Sequence, residues 1–176
     1  AKEAWEKEMA DELEKDLLKR SFTLGAPGAK YTQMPARDGE PHGQIKRSNR
    51  FPNDSFFENW RSLEDSITWD VEVLEAGKYE VELYYTCPPD DVGSTFRLQL
   101  GDNFIDGKGE VGHDPPLLGR ENDRIERMES YVKDFRAMQL GEIDLEKGEA
   151  ILSLTALDIS GGDVMDLKLI VFTKTN

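Results

Sequence analysis

Two hydrophobic periods divide the chain. Over residues 1–20, AKEAWEKEMADELEKDLLKR, the apolar side chains Trp5, Met9, Leu13 and Leu17 recur every fourth position, with Leu18 beside them and charges elsewhere. That spacing gathers side chains into one stripe, so the segment is predicted to be an amphipathic α-helix. The stripe packs either on this domain or on a domain upstream of it. GAPGAK at 25–30 then breaks helical order with glycine and proline.

From Ser66 the period becomes two. In ITWDVEV, Trp69, Val71 and Val73 share one face while Asp70 and Glu72 face the other way. EAGK marks a turn, and YEVELYY resumes the alternation with Tyr79, Val81, Leu83 and Tyr85 inward. STFRLQL follows with Phe96, Leu98 and Leu100, and GDN at 101–103 signals a hairpin into FIDG. GHDPPLLGRENDR, 112–124, carries a Pro-Pro pair that cannot donate to a sheet ladder, so it is predicted to be a loop. SYVKDFRAMQLGEIDL, EAILSLTAL and VMDLKLIVF supply the remaining strands, the last with Met165, Leu167, Leu169 and Val171 expected on one face. Short strands joined by tight turns, without intervening helices, predict antiparallel sheets. Two apolar sheet faces are buried most simply in a β-sandwich. The expected organisation is thus a helix over 1–20, ending an upstream domain or forming a linker, and a sandwich over 21–176.

Composition changes this picture little. The 176 residues are 38% hydrophobic and 33% charged, enough for one domain with a sizeable core. No run approaches the ~20 apolar residues of a membrane span. With 36 acidic against 22 basic residues, the formal charge of −14 disfavours nucleic acid and anionic membranes as general partners. It likewise weakens non-specific attraction to sulfated or carboxylated polysaccharides. Cys87 is the single cysteine, so no intrachain disulfide forms. The start in a charged helix, without an initiating methionine or signal peptide, is expected of a piece of a longer protein.

Catalytic motifs fail on inventory. There is no phosphate-cradling Gly-rich loop, no HExxH and no GxSxG elbow. His42 and His113 are far apart in sequence, with no cysteine ligands near them, which gives zinc little support. DNFIDGKGE, 102–110, places Asp102, Asp106 and Gly107 like a calcium loop, but Phe104 occupies its third position and Glu110 arrives too early; it is read as a hairpin. In CPPDD, 87–91, Cys87 and Pro89 match the Cys-x-Pro-x-Arg sequence from which sulfatases make formylglycine, yet Asp91 stands where arginine is needed. The chain is therefore expected not to be an enzyme, with a glycoside-active enzyme the lower-ranked alternative, because 36 acidic residues always offer a carboxylate pair.

Three polar clusters remain. PARDGEPHGQIKRSNR, 35–50, is a basic island containing Arg37, Asp38 and His42; NDSFFENW, 53–60, sets aromatics beside Asn and Glu; the proline loop joins ESYVKDF, 129–135. Sugars are bound by aromatic faces under their C–H surfaces and by polar side chains on their hydroxyls. Trp60 is the candidate stacking platform, and Arg37, Asp38, His42, His113, Asp114 and Arg120 are the candidate polar contacts. The alternative is that the aromatics are core and the charged pairs only tie loops to the sandwich.

The stretches PARDGEPHG, RSNRFPNDSFFENW, AGKYEVELYYTCP, HDPPLLG, ESYVKDF and ALDISGGDVMD resemble the C-terminal accessory region that follows the catalytic domain in a group of bacterial sulfatases, from about Phe22 onward. The phrase W-D-V-x-V followed by A-G-x-Y-x-V-x-L-x-Y is similar to carbohydrate-binding-module and galactose-binding-like jelly rolls. The resemblance implies a jelly-roll sandwich in an exported, periplasmic or extracellular protein. Its implied role is non-catalytic: glycan binding, sulfated or not, or docking on the sulfatase catalytic domain to shape its cleft. Such modules often hold a structural calcium near their first strands. Here TQMPARD replaces the acidic opening that provides it, so no calcium site is located and no other cofactor is implied.

Overall fold

The computed structural model describes Ala4, Met9 and residues 20–49, 55–118 and 133–175, and the chain is mainly β. The strands are β1 Phe22–Leu24, β2 Tyr31–Pro35, β3 Glu40–His42, β4 Lys46–Arg47, β5 Phe57–Glu58 and β6 Ser66–Val73, then β7 Gly77–Thr86, β8 Thr95–Leu100, β9 Asn103–Lys108, β10 Arg136–Leu145, β11 Gly148–Asp158 and β12 Asp166–Lys174. The helix expected over residues 1–20 falls outside the described residues, apart from Ala4, Met9 and Arg20.

Two sheets form. One runs β1-β6-β11-β8-β9, with β3 also against β6; the other runs β10-β7-β12-β5-β4, with β2 also against β12. Every pair is antiparallel except β1 with β6. The alternation in the sequence becomes the sandwich interior. Ile67, Trp69, Val71 and Val73 of β6 and Phe96, Leu98 and Leu100 of β8 are buried, as are Tyr79, Val81, Leu83 and Tyr85 of β7 in the opposite sheet. Full burial of each such side chain contributes roughly 1.5–3 kcal/mol, and the two-sided core is what holds the layers together.

Two strands depart from simple alternation. The register of β12 against β7 shifts between Leu167 and Leu169, so the face predicted for Met165, Leu167, Leu169 and Val171 does not persist along the strand. Leu167 points inward, but beyond the bulge the fully buried positions become Ile170 and Phe172. An extra residue in one strand reverses which positions face the core. β10 does the same between Gln139 and Gly141, where Gly141 has a φ of 125°. Met138 packs on the core before that bulge and Leu140 at it, and Ile143 and Leu145 are buried after it.

The ends of the sandwich differ. At one end the connections are short turns, 74–76, 101–102 and 146–147. At the other lie the long loops before β6, between β7 and β8 and between β11 and β12, together with the end of β9 and the start of β10. Cys87 and His113 join two of these by a reciprocal backbone pair, 2.8 Å in each direction, and Pro89–Asp91 turns the chain as a short 3-10 helix.

Candidate functional site

A large groove lies on the outer face of the first sheet, and the strand pairing produces it. β1 pairs with β6 from Val71 onward, and β3 pairs with β6 only as far as Thr68. On that edge of β6 no described strand lies against Trp69 and Asp70 between them. The groove there has a volume of about 1060 Å³, bordered by Arg20, Ser21, Phe22 and Thr23 on one side and Asp38, Gly39, Glu40, His42 and Arg47 on the other. Thr68, Trp69, Asp70 and Ile151 complete it. Such a volume reaches the upper end of the ~300–1,000 Å³ range of small-molecule pockets.

Alternation decides what points into it. With Ile67, Trp69 and Val71 inward, Thr68 and Asp70 face outward, and Ile151 of β11 lies directly opposite Asp70. Ile151 is 59% exposed, which gives this polar face an apolar spot. Gly39 lets the opposite wall settle onto the sheet, because a Cβ there would lie 2.6 Å from the Trp69 indole.

The wall is held by Arg47. Its Nε and Nη2 donate to the Arg37 carbonyl at 3.2 and 3.0 Å, and Nη2 also donates to the Gly39 carbonyl at 2.6 Å. The guanidinium lies 5.2 Å from the centre of the Phe57 ring. Arg37 sits in the 3-10 turn Ala36–Asp38, with its own guanidinium 3.8 Å from Asp38. His42 reaches across from β3, its Nε2 lying 2.8 Å from the Thr68 hydroxyl. The groove therefore offers an imidazole, a hydroxyl, several carboxylates and a small apolar surface.

The long-loop end is different, because its polar groups engage one another. Arg61 donates to Asp163 at 2.8 Å, and Lys133 to Asp166 at 2.9 Å. Lys133 also lies 4.9 Å from the centre of the Phe56 ring, which meets Phe135 edge-on at 5.4 Å. Burial raises the Asp166 carboxyl above the usual range, with Lys133 opposing the shift. Asp65 is buried and accepts from the amides of Gln44, Arg61 and Ser62 at 2.8, 3.1 and 2.9 Å. Asp91 accepts from the Gly162 amide, and Ser94 from the Ser160 amide. A polar cavity of about 270 Å³ remains among Lys46, Glu58, Asn59, Arg61, Asp163 and Asp166.

The predicted site residues scatter over these places. Asp38 and His42 line the groove, and Arg37 stands behind its wall. Trp60 is not a stacking platform: it is 1% exposed, packed against Phe96 with ring centres 6.4 Å apart. The Trp60 carbonyl accepts from the Val164 amide, which draws residue 60 into the core beneath the long loops. His113 donates through Nε2 to the Asp134 carbonyl, 2.5 Å away, and neither it nor the exposed Asp114 lines the groove. Arg120 lies outside the described residues. Burial pushes the Cys87 thiol up to about 11, so it is a protonated core group at neutral pH. Among the described residues no group of His, Cys, Asp or Glu is placed to hold a metal ion, and no helix is long and apolar enough to cross a membrane.

Glu40, Thr68, Asp70 and Ile151 were absent from the candidates read in the sequence. The outward positions of ITWDVEV already contained Thr68 and Asp70. The missing information was that the basic island folds into β3 and lies beside them.

Comparison with known structures defines the class of fold. The chain resembles a family 35 carbohydrate-binding module from Clostridium thermocellum, with a TM-score of 0.57 and 13% identity over 84% of this chain and 100% of that one. It also resembles the C-terminal CBM6 of LamC, a marine laminarinase from Zobellia galactanivorans, with a TM-score of 0.53 and 14% identity over 82% and 99%. The Cry4Aa toxin of Bacillus thuringiensis matches with a TM-score of 0.61 and 11% identity over 83% of this chain and 24% of the toxin. No family model and no curated protein sequence matches. The fold is thus the jelly-roll β-sandwich found in carbohydrate-binding modules, a fold the toxin shares.

Proposed function

We propose that this domain binds a glycan without catalysing its cleavage, and that the groove between β1 and β3 is where it does so. The carrying observation is the groove itself: about 1060 Å³ of open space on a fold found in carbohydrate-binding modules, with His42, Thr68 and Asp70 beside the exposed Ile151. A sugar presents hydroxyls and a weakly apolar C–H face, and this set of side chains complements both. The long-loop end is a poorer candidate, because among the described residues Arg61 and Asp163, and Lys133 and Asp166, already satisfy one another. In this reading the domain is an exported accessory module, and the sequence resemblance makes a sulfatase-type enzyme its proposed carrier.

Self-satisfied loops also support a second reading, in which the long-loop end docks on a neighbouring catalytic domain and shapes its cleft. Calorimetric titration against a panel of soluble neutral and sulfated polysaccharides separates the two. Binding that is lost in both His42→Ala and Ile151→Arg supports the groove. Absence of binding across the panel overturns the glycan reading and leaves the docking one.

A further inference from the structure

Three carboxylates, Asp38, Glu40 and Asp70, line the groove beside two guanidinium groups, Arg20 and Arg47. Glu40 and Asp70 form no ion pair among the described residues, and Asp38 has only the 3.8 Å approach of Arg37. Next to the groove, Glu72 pairs with Thr23 on one side and stands directly opposite Glu149 on the other. Like charges facing across a strand pair repel, so an incoming cation relieves an existing strain there. The cations are differently disposed. Arg47 is committed to two backbone carbonyls and the Phe57 ring. His42 is engaged with Thr68, which leaves Arg20 as the remaining cation among the described residues that line the groove. The net charge of −14 adds a long-range field of the same sign.

Resting on the glycan reading above, we infer that the groove selects a cationic saccharide, an oligomer carrying free amino groups, over neutral and anionic ones. The amino groups would sit near Asp70 and Glu40, with the sugar's C–H face over Ile151. A sulfate ester or a uronate carboxylate in the same place would face three carboxylates and, among the described residues, meet no uncommitted cation except Arg20. Two exposed ion pairs of ordinary strength give a preference of about 2- to 30-fold.

The test compares glucosamine oligomers with their N-acetylated counterparts of equal length, by calorimetry at mildly acidic pH, where the amino groups of the sugar are charged. The double variant Glu40→Gln, Asp70→Asn removes the proposed charge partners. The double variant Glu80→Gln, Glu142→Gln changes net charge equally on the outer face of the other sheet, where these two residues are paired. The inference predicts tighter binding of the free amine, a preference that collapses in the groove variant and at high salt, and no change of preference in the distant variant. Equal affinity for the two oligomers, or a preference for a sulfated glycan, overturns it while leaving a glycan-binding groove intact. A preference that falls equally in both variants overturns it as well, because the field and not the groove is then responsible. Failure of every glycan to bind overturns both readings.

Discussion

Asp65 tests how the groove wall is anchored. Its carboxylate is buried at 2% exposure and accepts three amides, from Gln44 on one loop and from Arg61 and Ser62 on another. Gly43, with a φ of 77°, lets the chain turn so close that a Cβ there would meet the Asp65 carboxylate. Hydrogen bonds to a charged acceptor each contribute about 1.5–3 kcal/mol, and they are not additive when they share one acceptor. In Asp65→Ala water can reach some of the released amides, so the expected loss is about 3–4 kcal/mol, near the top of the usual range. Asp65→Asn replaces one oxygen by an amide nitrogen that faces at least one N–H donor, and is expected to cost about 1.5–3 kcal/mol. For a chain of this length that corresponds to a fall in Tm of about 2–4 °C per kcal/mol. Urea denaturation followed by circular dichroism measures both variants. Because the Gln44 amide follows His42 closely in the chain, loss of the anchor also loosens the groove wall and weakens ligand binding. A change below about 0.5 kcal/mol in Asp65→Ala would refute the claim that this carboxylate fastens the two loops.

Other consequences follow from individual contacts. Glu142→Lys should stabilise the protein by about 0.2–1 kcal/mol, since it turns a direct Glu80–Glu142 repulsion into attraction; an unchanged urea midpoint contradicts that pairing. Trp60→Ala should cost about 3–5 kcal/mol because it empties a core site, so a variant that melts normally but loses glycan affinity would restore Trp60 as a ligand platform. For Cys87, the folded thiol holds its proton to about 11 while the unfolded one releases it near 9.0. The stabilisation from the buried neutral thiol is therefore complete below the lower value and is lost as pH rises through the higher one. Alkylation of native protein should accordingly be slow at neutral pH and accelerate on unfolding; fast native labelling contradicts the burial.

The sandwich was legible wherever side chains alternate cleanly, as in β6, β7 and β8, because one buried face imposes a period of two. The bulges in β10 and β12 were not, since nothing in MQLGEI or MDLKLI says where the extra residue is accommodated. Trp60 misled for a related reason. An aromatic beside Asn and Glu reads as a surface platform, but one backbone hydrogen bond to Val164 and the packing of Phe96 place it inside. The groove depends on β3 pairing with β6, a contact between residues 40–42 and 66–68 that only the folded chain creates. His42 and Asp38 were recoverable from the basic island; their partners Thr68, Asp70 and Ile151 came from strands whose order in the sheet the sequence does not state.

The most direct measurement is a titration of the isotopically labelled domain with glycan oligomers, followed by amide NMR shifts. A ligand seated in the groove perturbs amides clustered at Phe22, Thr23, Gly39, Glu40, His42, Thr68, Asp70 and Ile151. Shifts confined instead to the long-loop end, around Asn59, His113 and Asp163, would place the ligand elsewhere and contradict the assignment of the groove.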